Sequence, residues 1–217
     1  MKPVYCISGL GADERVFKKL DIDADLHFVQ WVKPDPGETI QCYAHRLSSQ
    51  IKDENPIVVG LSFGGIMAIE MARILSISKV ILISSVKSQK ELPFWMRTCG
   101  QWKLDRALPD RPLGSIPGSK AIRPIQNYFL GASTAEEKRI ANEYRDNIDP
   151  QYLKWSINQV LNWKNDWLPP QLVHIHGSKD HIFPLKKVKP THVINGGGHF
   201  MIMNHHKEIS SILKEVL

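Results

Sequence analysis

Short runs of apolar and β-branched residues recur along this chain, and segments with helical periodicity separate most of them. The run at residues 56–60 is apolar throughout, as expected of a central strand that is covered on both faces. Strands that alternate with helices favour parallel pairing, because the helix supplies the crossover between them. The sequence therefore predicts an α/β fold, in which helices flank a mostly parallel sheet with strands at residues 4–7, 26–29, 56–60, 79–83, 172–176 and 192–194.

The alternation stops between residues 86 and 168, where prolines, glycines and helical stretches at 135–145 and 151–161 replace it. The segment shows no convincing central strand. The length of 217 residues suits one domain. We therefore predict an α/β core made of residues 1–85 and 169–217, interrupted by a helical cap insertion at 86–168. Apolar side chains recur at helical spacing in the core, which predicts helices at residues 38–51, 63–75 and 204–217.

Composition and charge narrow the possible functions. The three cysteines are far apart in the sequence, and the nine histidines show no metal-ligand spacing, so no metal site is expected. The net charge is +6. It is not concentrated in a basic run, so we expect no nucleic-acid partner. No apolar stretch is long enough to span a bilayer, and the first residues lack a signal-peptide pattern. We expect a cytoplasmic protein without a membrane partner.

A serine lies in the turn between the third predicted strand and the following helix. Ser62 is flanked by Gly60 and Gly64 in the pattern Gly-x-Ser-x-Gly. This strand–turn–helix setting holds the hydroxyl out at the top of a sheet, and larger side chains at the glycine positions would collide with backbone. The alternative is a tight turn that simply needs small residues. The setting favours Ser62 as a nucleophile.

An acid and a base follow later predicted strands. Asp180 lies just past the strand at residues 172–176, and His199 follows the strand at 192–194 on a loop of three glycines. The carboxylate of such a pair can orient the imidazole, and the imidazole can accept the serine proton. Taken alone, Asp180 could be a turn residue that caps an amide, and His199 a surface histidine. Their order after Ser62 favours a Ser-His-Asp triad.

Two backbone amides are candidates for stabilising an oxyanion. The first is the N–H of Phe63, directly after the serine. The second is expected in the glycine-rich loop after the first strand, where glycines on both sides of Leu10 let its amide turn inward.

These motifs resemble the α/β-hydrolase family, and the resemblance covers all of the chain except the insertion. Residues 60–65 match the nucleophile elbow of the family, residues 177–180 its acid loop, and residues 197–200 its histidine loop. The family commonly has His-Gly in the oxyanion loop, whereas this chain has Ser8-Gly9, which changes the side-chain support of that loop. The family's two usual N-terminal strands have no counterpart here, which leaves about six strands.

The resemblance implies cofactor-free hydrolysis of a small-molecule carboxylic ester through an acyl-serine. A thioesterase or an acyltransferase would use the same triad, and a ligand-binding homologue with an idle triad is the third hypothesis. The family places its lid at the insertion. Five of the six tryptophans lie between residues 86 and 168. They either line an apolar substrate pocket or bury the lid itself. The pocket candidates are Trp95, Trp102, Trp155 and Trp163.

Overall fold

A computed structural model of the chain describes residues 2–103, 111 and 115–217. Its centre is one sheet of six parallel strands in the order β2-β1-β3-β4-β5-β6. The predicted fold class is therefore confirmed. The strands are β1 (Pro3–Ile7), β2 (Asp25–Val29), β3 (Ile57–Leu61), β4 (Lys79–Ile83), β5 (Leu172–Gly177) and β6 (His192–Ile194).

The α-helices of the described residues fall into two groups. Those of the core are α1 (Ile40–Ser48), α2 (Phe63–Ala72), α7 (Met201–Asn204) and α8 (His206–Val216). Those between β4 and β5 are α3 (Phe94–Gln101), α4 (Arg123–Leu130), α5 (Ala135–Asn147) and α6 (Pro150–Asn162). The described residues between 86 and 168 form no strand, as the sequence predicted.

Successive side chains of each strand alternate between the two faces of the sheet, so the apolar core consists of two clusters, one on each face. In β1, Tyr5 and Ile7 belong to one apolar cluster, whereas Val4 and Cys6 belong to another. The first cluster packs against α1 and α2, and the second packs against α8. Successive side chains of a strand point to opposite faces, so each buried strand contributes to both clusters. The sheet is covered on both sides, as parallel sheets require.

The three predicted core helices differ from the observed ones in their bounds, and the helix predicted over 63–75 ends at Ala72. The first core helix begins at Ile40 rather than at residue 38, because the Thr39 hydroxyl accepts a hydrogen bond from the amide of Cys42 and caps the helix there. The helix predicted over 204–217 is confirmed but begins two residues later, at His206. The apolar residues before it form the separate helix α7, and His205 has a non-helical backbone between α7 and α8.

Candidate active site

The carboxyl ends of three strands carry the polar residues singled out by sequence. Ser62 follows β3, Asp180 follows β5 and His199 follows β6. Because all six strands are parallel, these ends lie along one edge of the sheet, where α/β proteins form their sites. The structure brings the three side chains into one hydrogen-bonded chain.

The backbone at Ser62 is strained. Its φ is 52° and its ψ is −116°, a conformation that residues other than glycine rarely adopt. Three hydrogen bonds hold it: the Ser62 amide donates to the carbonyl of Ile83 at 2.9 Å, and the Ser62 carbonyl accepts from the Ser85 hydroxyl at 2.7 Å and from the amide of Gly65 at 2.9 Å. The sequence analysis did not single out Ser85. The one indication of its role was its position just after β4, the strand that pairs with β3.

The two glycines of the turn have no room for a side chain. A Cβ at Gly60 would overlap the backbone of Gly64, and one at Gly64 would overlap the carbonyls of Ile7 and Ser8. The turn thus packs directly against the end of β1. This close approach is the reason that the sequence pattern needs glycine on both sides of Ser62.

His199 lies between the serine and the aspartate. Its Nε2 lies 2.8 Å from the Ser62 Oγ, and its Nδ1 lies 2.8 Å from Oδ2 of Asp180. An ionised carboxylate only accepts hydrogen bonds, so Nδ1 carries the proton and Nε2 is left to accept from the hydroxyl. This tautomer can take up the proton of the serine.

Asp180 is buried, and each of its oxygens is used. Oδ1 accepts hydrogen bonds from the amides of Ile182 and Phe183, both at 2.8 Å, while Oδ2 faces His199. Burial raises the pKa of Asp180, but the electrostatic interaction and the hydrogen bond with His199 outweigh that effect and hold the pKa below its usual value. The carboxylate therefore stays ionised and orients the imidazole.

A second buried histidine adjoins the carboxylate. The Nε2 of His176 donates to the carbonyl of Phe183 at 2.7 Å and lies 3.6 Å from Oδ2 of Asp180. Burial holds the pKa of His176 below its ordinary value, so this ring is neutral. His176 thus fixes the loop that donates to Asp180.

The loop after β1 lies against the serine. A Cβ placed on Gly9 would lie 3.6 Å from the Cβ of Ser62. Leu10 from this loop and Phe63 from the start of α2 both line the cavity above Ser62. Within the described residues, no backbone or side-chain acceptor is bonded to either amide. The α2 N-terminus adds positive potential at the serine.

Ser8 takes over the support of this loop. Its hydroxyl donates to the carbonyl of Ala12 at 2.7 Å and accepts from the indole Nε1 of Trp31 at 2.9 Å. The Trp31 ring also stacks on Phe63, with ring centroids 5.3 Å apart. Sequence reasoning passed over Trp31, the one tryptophan outside the insertion.

A cavity of about 530 Å³ opens over the serine. Ser62 and His199 lie in its wall together with mostly apolar side chains, many of them from the helices between β4 and β5. Such a volume accommodates a small or medium-sized organic ligand. The lining residues from those helices are Trp95, Met96, Cys99, Leu130, Ala141, Tyr144, Arg145, Leu153, Ile157, Val160 and Leu161.

Only Trp95 of the four candidate tryptophans lines this cavity. Trp102 is 74% exposed. The indole of Trp163 is buried and donates to Oε1 of Glu70 at 2.7 Å, and that of Trp155 donates to the carbonyl of Glu38 at 2.8 Å. The pocket role does not fit these three, because two are bound to the core and one faces solvent.

The residues described by the structure contain no group of three or more side chains suited to a metal ion. Among the same residues, no helix combines the length and the apolar character needed to cross a bilayer.

The chain was compared with protein-family models, with curated protein sequences and with solved structures. A family model described as "Alpha/beta hydrolase family" matches residues 6–212. No curated protein sequence matches the chain.

Solved structures share the fold at low identity. A thermophilic esterase from Thermogutta terrifontis is 14% identical, with a TM-score of 0.69 over 99% of this chain and 89% of that one. A meta-cleavage product hydrolase from Pseudomonas fluorescens is 17% identical, with a TM-score of 0.68 over 100% and 90%. A bromoperoxidase from Bacillus anthracis is 18% identical, with a TM-score of 0.67 over 98% and 90%.

Proposed function

Because this chain belongs to the alpha/beta hydrolase family, we propose that it is a serine hydrolase that cleaves a carboxylic ester through an acyl-serine on Ser62. The observation that carries the proposal is the hydrogen-bonded chain of Ser62, His199 and Asp180, with both distances at 2.8 Å. In this role Ser62 is the nucleophile, His199 the general base and acid, and Asp180 the group that orients the imidazole.

The first half-reaction acylates the serine. The Ser62 Oγ bonds to the ester carbonyl carbon while its proton moves to Nε2 of His199. The carbonyl oxygen becomes an oxyanion, which the amides of Leu10 and Phe63 stabilise. The bond to the leaving oxygen then breaks, and that oxygen takes the proton from His199. Asp180 stabilises the imidazolium between these two transfers.

The second half-reaction releases the acid. A water molecule attacks the acyl carbon and gives its proton to His199. The bond to the Ser62 Oγ breaks, and the oxygen regains the proton. No cofactor takes part, since every proton and electron pair is exchanged among the ester, water and these side chains.

Residues 86–168 are proposed to form the cap that selects the substrate. The helices of this segment supply a large part of the cavity wall, and that wall is mostly apolar. Burial of an acyl chain there contributes about 0.8 kcal/mol per methylene group. A small-molecule acyl substrate therefore matches the site.

Labelling of the serine tests the proposal. A fluorophosphonate probe reacts covalently with an activated serine, so we expect labelling of the wild-type chain and none of the Ser62→Ala variant. Ser49 is an exposed serine at the end of α1, and Ser49→Ala serves as the matched control that keeps the label. A wild-type chain that takes up no label would contradict the proposal and would favour a binding protein with an idle triad.

Ester and thioester substrates reach the same acyl-serine. The two activities are therefore distinguished by measuring kcat/KM on two substrate series. One series is nitrophenyl esters of increasing chain length, and the other is the acyl-CoA thioesters of the same acids. We expect the higher kcat/KM on the oxygen esters; a higher value on the thioesters would favour the alternative.

A further inference from the structure

One charged side chain in the cavity wall has no part in the chemistry described above. Arg145 lies in the last turn of α5 and lines the cavity that also contains Ser62 and His199. Among the lining residues that the structure describes, no other arginine or lysine and no carboxylate occurs. Arg145 is partly buried. A positive charge beside an apolar wall calls for an explanation, because burying a charge without an opposite charge is costly.

The guanidinium of Arg145 is held by neutral groups. Its two terminal nitrogens donate to Oδ1 of Asn142 and to Oδ1 of Asn127, both at 2.6 Å. Within the described residues, no carboxylate lies within ion-pair distance of it. A guanidinium has five N–H donors, so the two amides leave others for a ligand.

The acidic residues near Arg145 are bound to other arginines. Asp146 pairs with Arg123 at 2.6 Å, and Glu143 pairs with Arg15 at 2.6 Å. Burial, followed by the charge of Arg123, lowers the pKa of Arg145 from its usual value. The charge of Asp146 acts in the opposite direction, but Asp146 is itself paired with Arg123. An anion brought to Arg145 would offset the effects of burial and of Arg123, and within the described residues no carboxylate pairs with Arg145.

We infer that Arg145 is a binding residue for a carboxylate of the substrate, so that the proposed hydrolase acts on esters that carry a second, ionised carboxyl group. The inference rests on the proposed function, since the cavity is the substrate site only if Ser62 is the nucleophile. The planar fork of an arginine matches the two oxygens of a carboxylate. The apolar wall would contact the carbon chain between the carboxylate and the ester.

Matched pairs of aryl esters test the inference without any variant. The first pair places the charge on the acyl side: mono-4-nitrophenyl adipate against 4-nitrophenyl hexanoate, both with six-carbon chains. The second pair places it on the leaving group: 4-carboxyphenyl butyrate against phenyl butyrate. We expect a kcat/KM about 10- to 100-fold higher for the charged member of one pair, as a charged hydrogen bond provides. The pair that shows the preference identifies the side that carries the carboxylate.

Variants then assign the preference to Arg145. Arg145→Gln is expected to abolish most of the charged-to-neutral ratio, and Arg145→Lys to keep an intermediate ratio, because lysine retains the charge but not the fork. Arg139 is an exposed arginine of the same helix, which makes Arg139→Gln the matched control with an unchanged ratio.

Two results would overturn the inference. Equal kcat/KM within both pairs for the wild type removes it while leaving ester hydrolysis intact. A ratio that persists in a folded Arg145→Gln variant also removes it. Absence of hydrolysis of all four esters, together with absence of fluorophosphonate labelling, removes the proposed function and the inference with it.

Discussion

The hydroxyl of Tyr144 donates a hydrogen bond to Oδ1 of Asp13 at 3.0 Å and thereby ties helix α5 to the segment that follows the loop after β1. Arg15 reinforces the tie, because it binds both Asp13 and Glu143 of the same helix. The proposed oxyanion donor Leu10 lies in that loop, just before Asp13. The wall of the cavity and the proposed oxyanion loop are therefore held at a fixed distance from each other.

Removal of the Tyr144 hydroxyl should loosen this tie. Burial raises the pKa of Tyr144, so the hydroxyl is protonated and acts as the donor. Tyr144→Phe is expected to lower the free energy of unfolding by about 1 kcal/mol and to reduce kcat/KM on nitrophenyl esters. Urea unfolding and steady-state kinetics measure the two effects. Tyr128, which is exposed, provides the control Tyr128→Phe; equal behaviour of the two variants would argue against the tie.

A methyl group at Gly64 should disrupt the turn at Ser62. Its Cβ would overlap the carbonyls of Ile7 and Ser8, neither of which can move without shifting β1. Gly64→Ala is expected to lower the free energy of unfolding by about 3 kcal/mol or more. The control is Gly37→Ala, because Gly37 has a φ of +73° with nothing within 4 Å of a Cβ; it should cost about 1 kcal/mol. Similar losses in both variants would contradict the packing argument.

Substitutions of Trp163 and Trp95 should have different effects, the first on the stability of the fold and the second on the preference for acyl chain length. Trp163→Phe removes the indole donor to the buried Glu70 carboxylate, so we expect a loss of about 1–3 kcal/mol in the free energy of unfolding with an unchanged order of preference for acyl chain length. Trp95→Ala removes a large side chain from the cavity wall and so enlarges the cavity. We expect it to shift the preference towards longer acyl chains. Urea titration and an ester series test both; a shifted preference in the Trp163 variant would restore its pocket role.

His174 should make the fold sensitive to acid. Burial, followed by the neighbouring His176, lowers the pKa of His174 to about 3 in the folded chain, whereas an unfolded histidine titrates near pH 6.5. Between these values the unfolded chain binds more protons, so the free energy of unfolding falls as the pH is lowered from about 6.5 towards 3, by at most about 1.4 kcal/mol per pH unit.

The matched comparison uses His174→Gln, which cannot titrate, and the exposed His45→Gln as its control. Urea unfolding at a series of pH values between 7 and 4 should show a shallower decline for His174→Gln than for the wild type or the control. Parallel curves for all three proteins would show that His174 does not contribute.

The strands were predictable because burial on both faces leaves a strong apolar signal. β4 and β6 have the predicted bounds, and β3 differs by one residue at each end. The break at His205 was not predictable from local pattern. Met201 and Ile202 precede it as an apolar run in a glycine-rich setting, and their helical state depends on burial in the core that includes Phe200 and Ile209.

The positions of Ser62, Asp180 and His199 could be predicted because each one follows a recognisable strand and the strand ends converge. The tryptophans could not be assigned in the same way. Trp163 is fixed by Glu70, which is 93 residues distant in the sequence. Arg145 gave no signal of its own, since what sets it apart is that none of the described carboxylates pairs with it, and only the assembled helices reveal this.

The residues of the candidate site come from two different parts of the fold, and this has an evolutionary consequence. The groups proposed for proton transfer follow strands of the sheet, whereas much of the cavity wall belongs to α3, α5 and α6. Mutations in those helices can therefore diversify the ligand that enters without touching the reaction. A library restricted to Ala141, Leu153 and Ile157 should yield many descendants that keep fluorophosphonate labelling yet differ in the esters they accept.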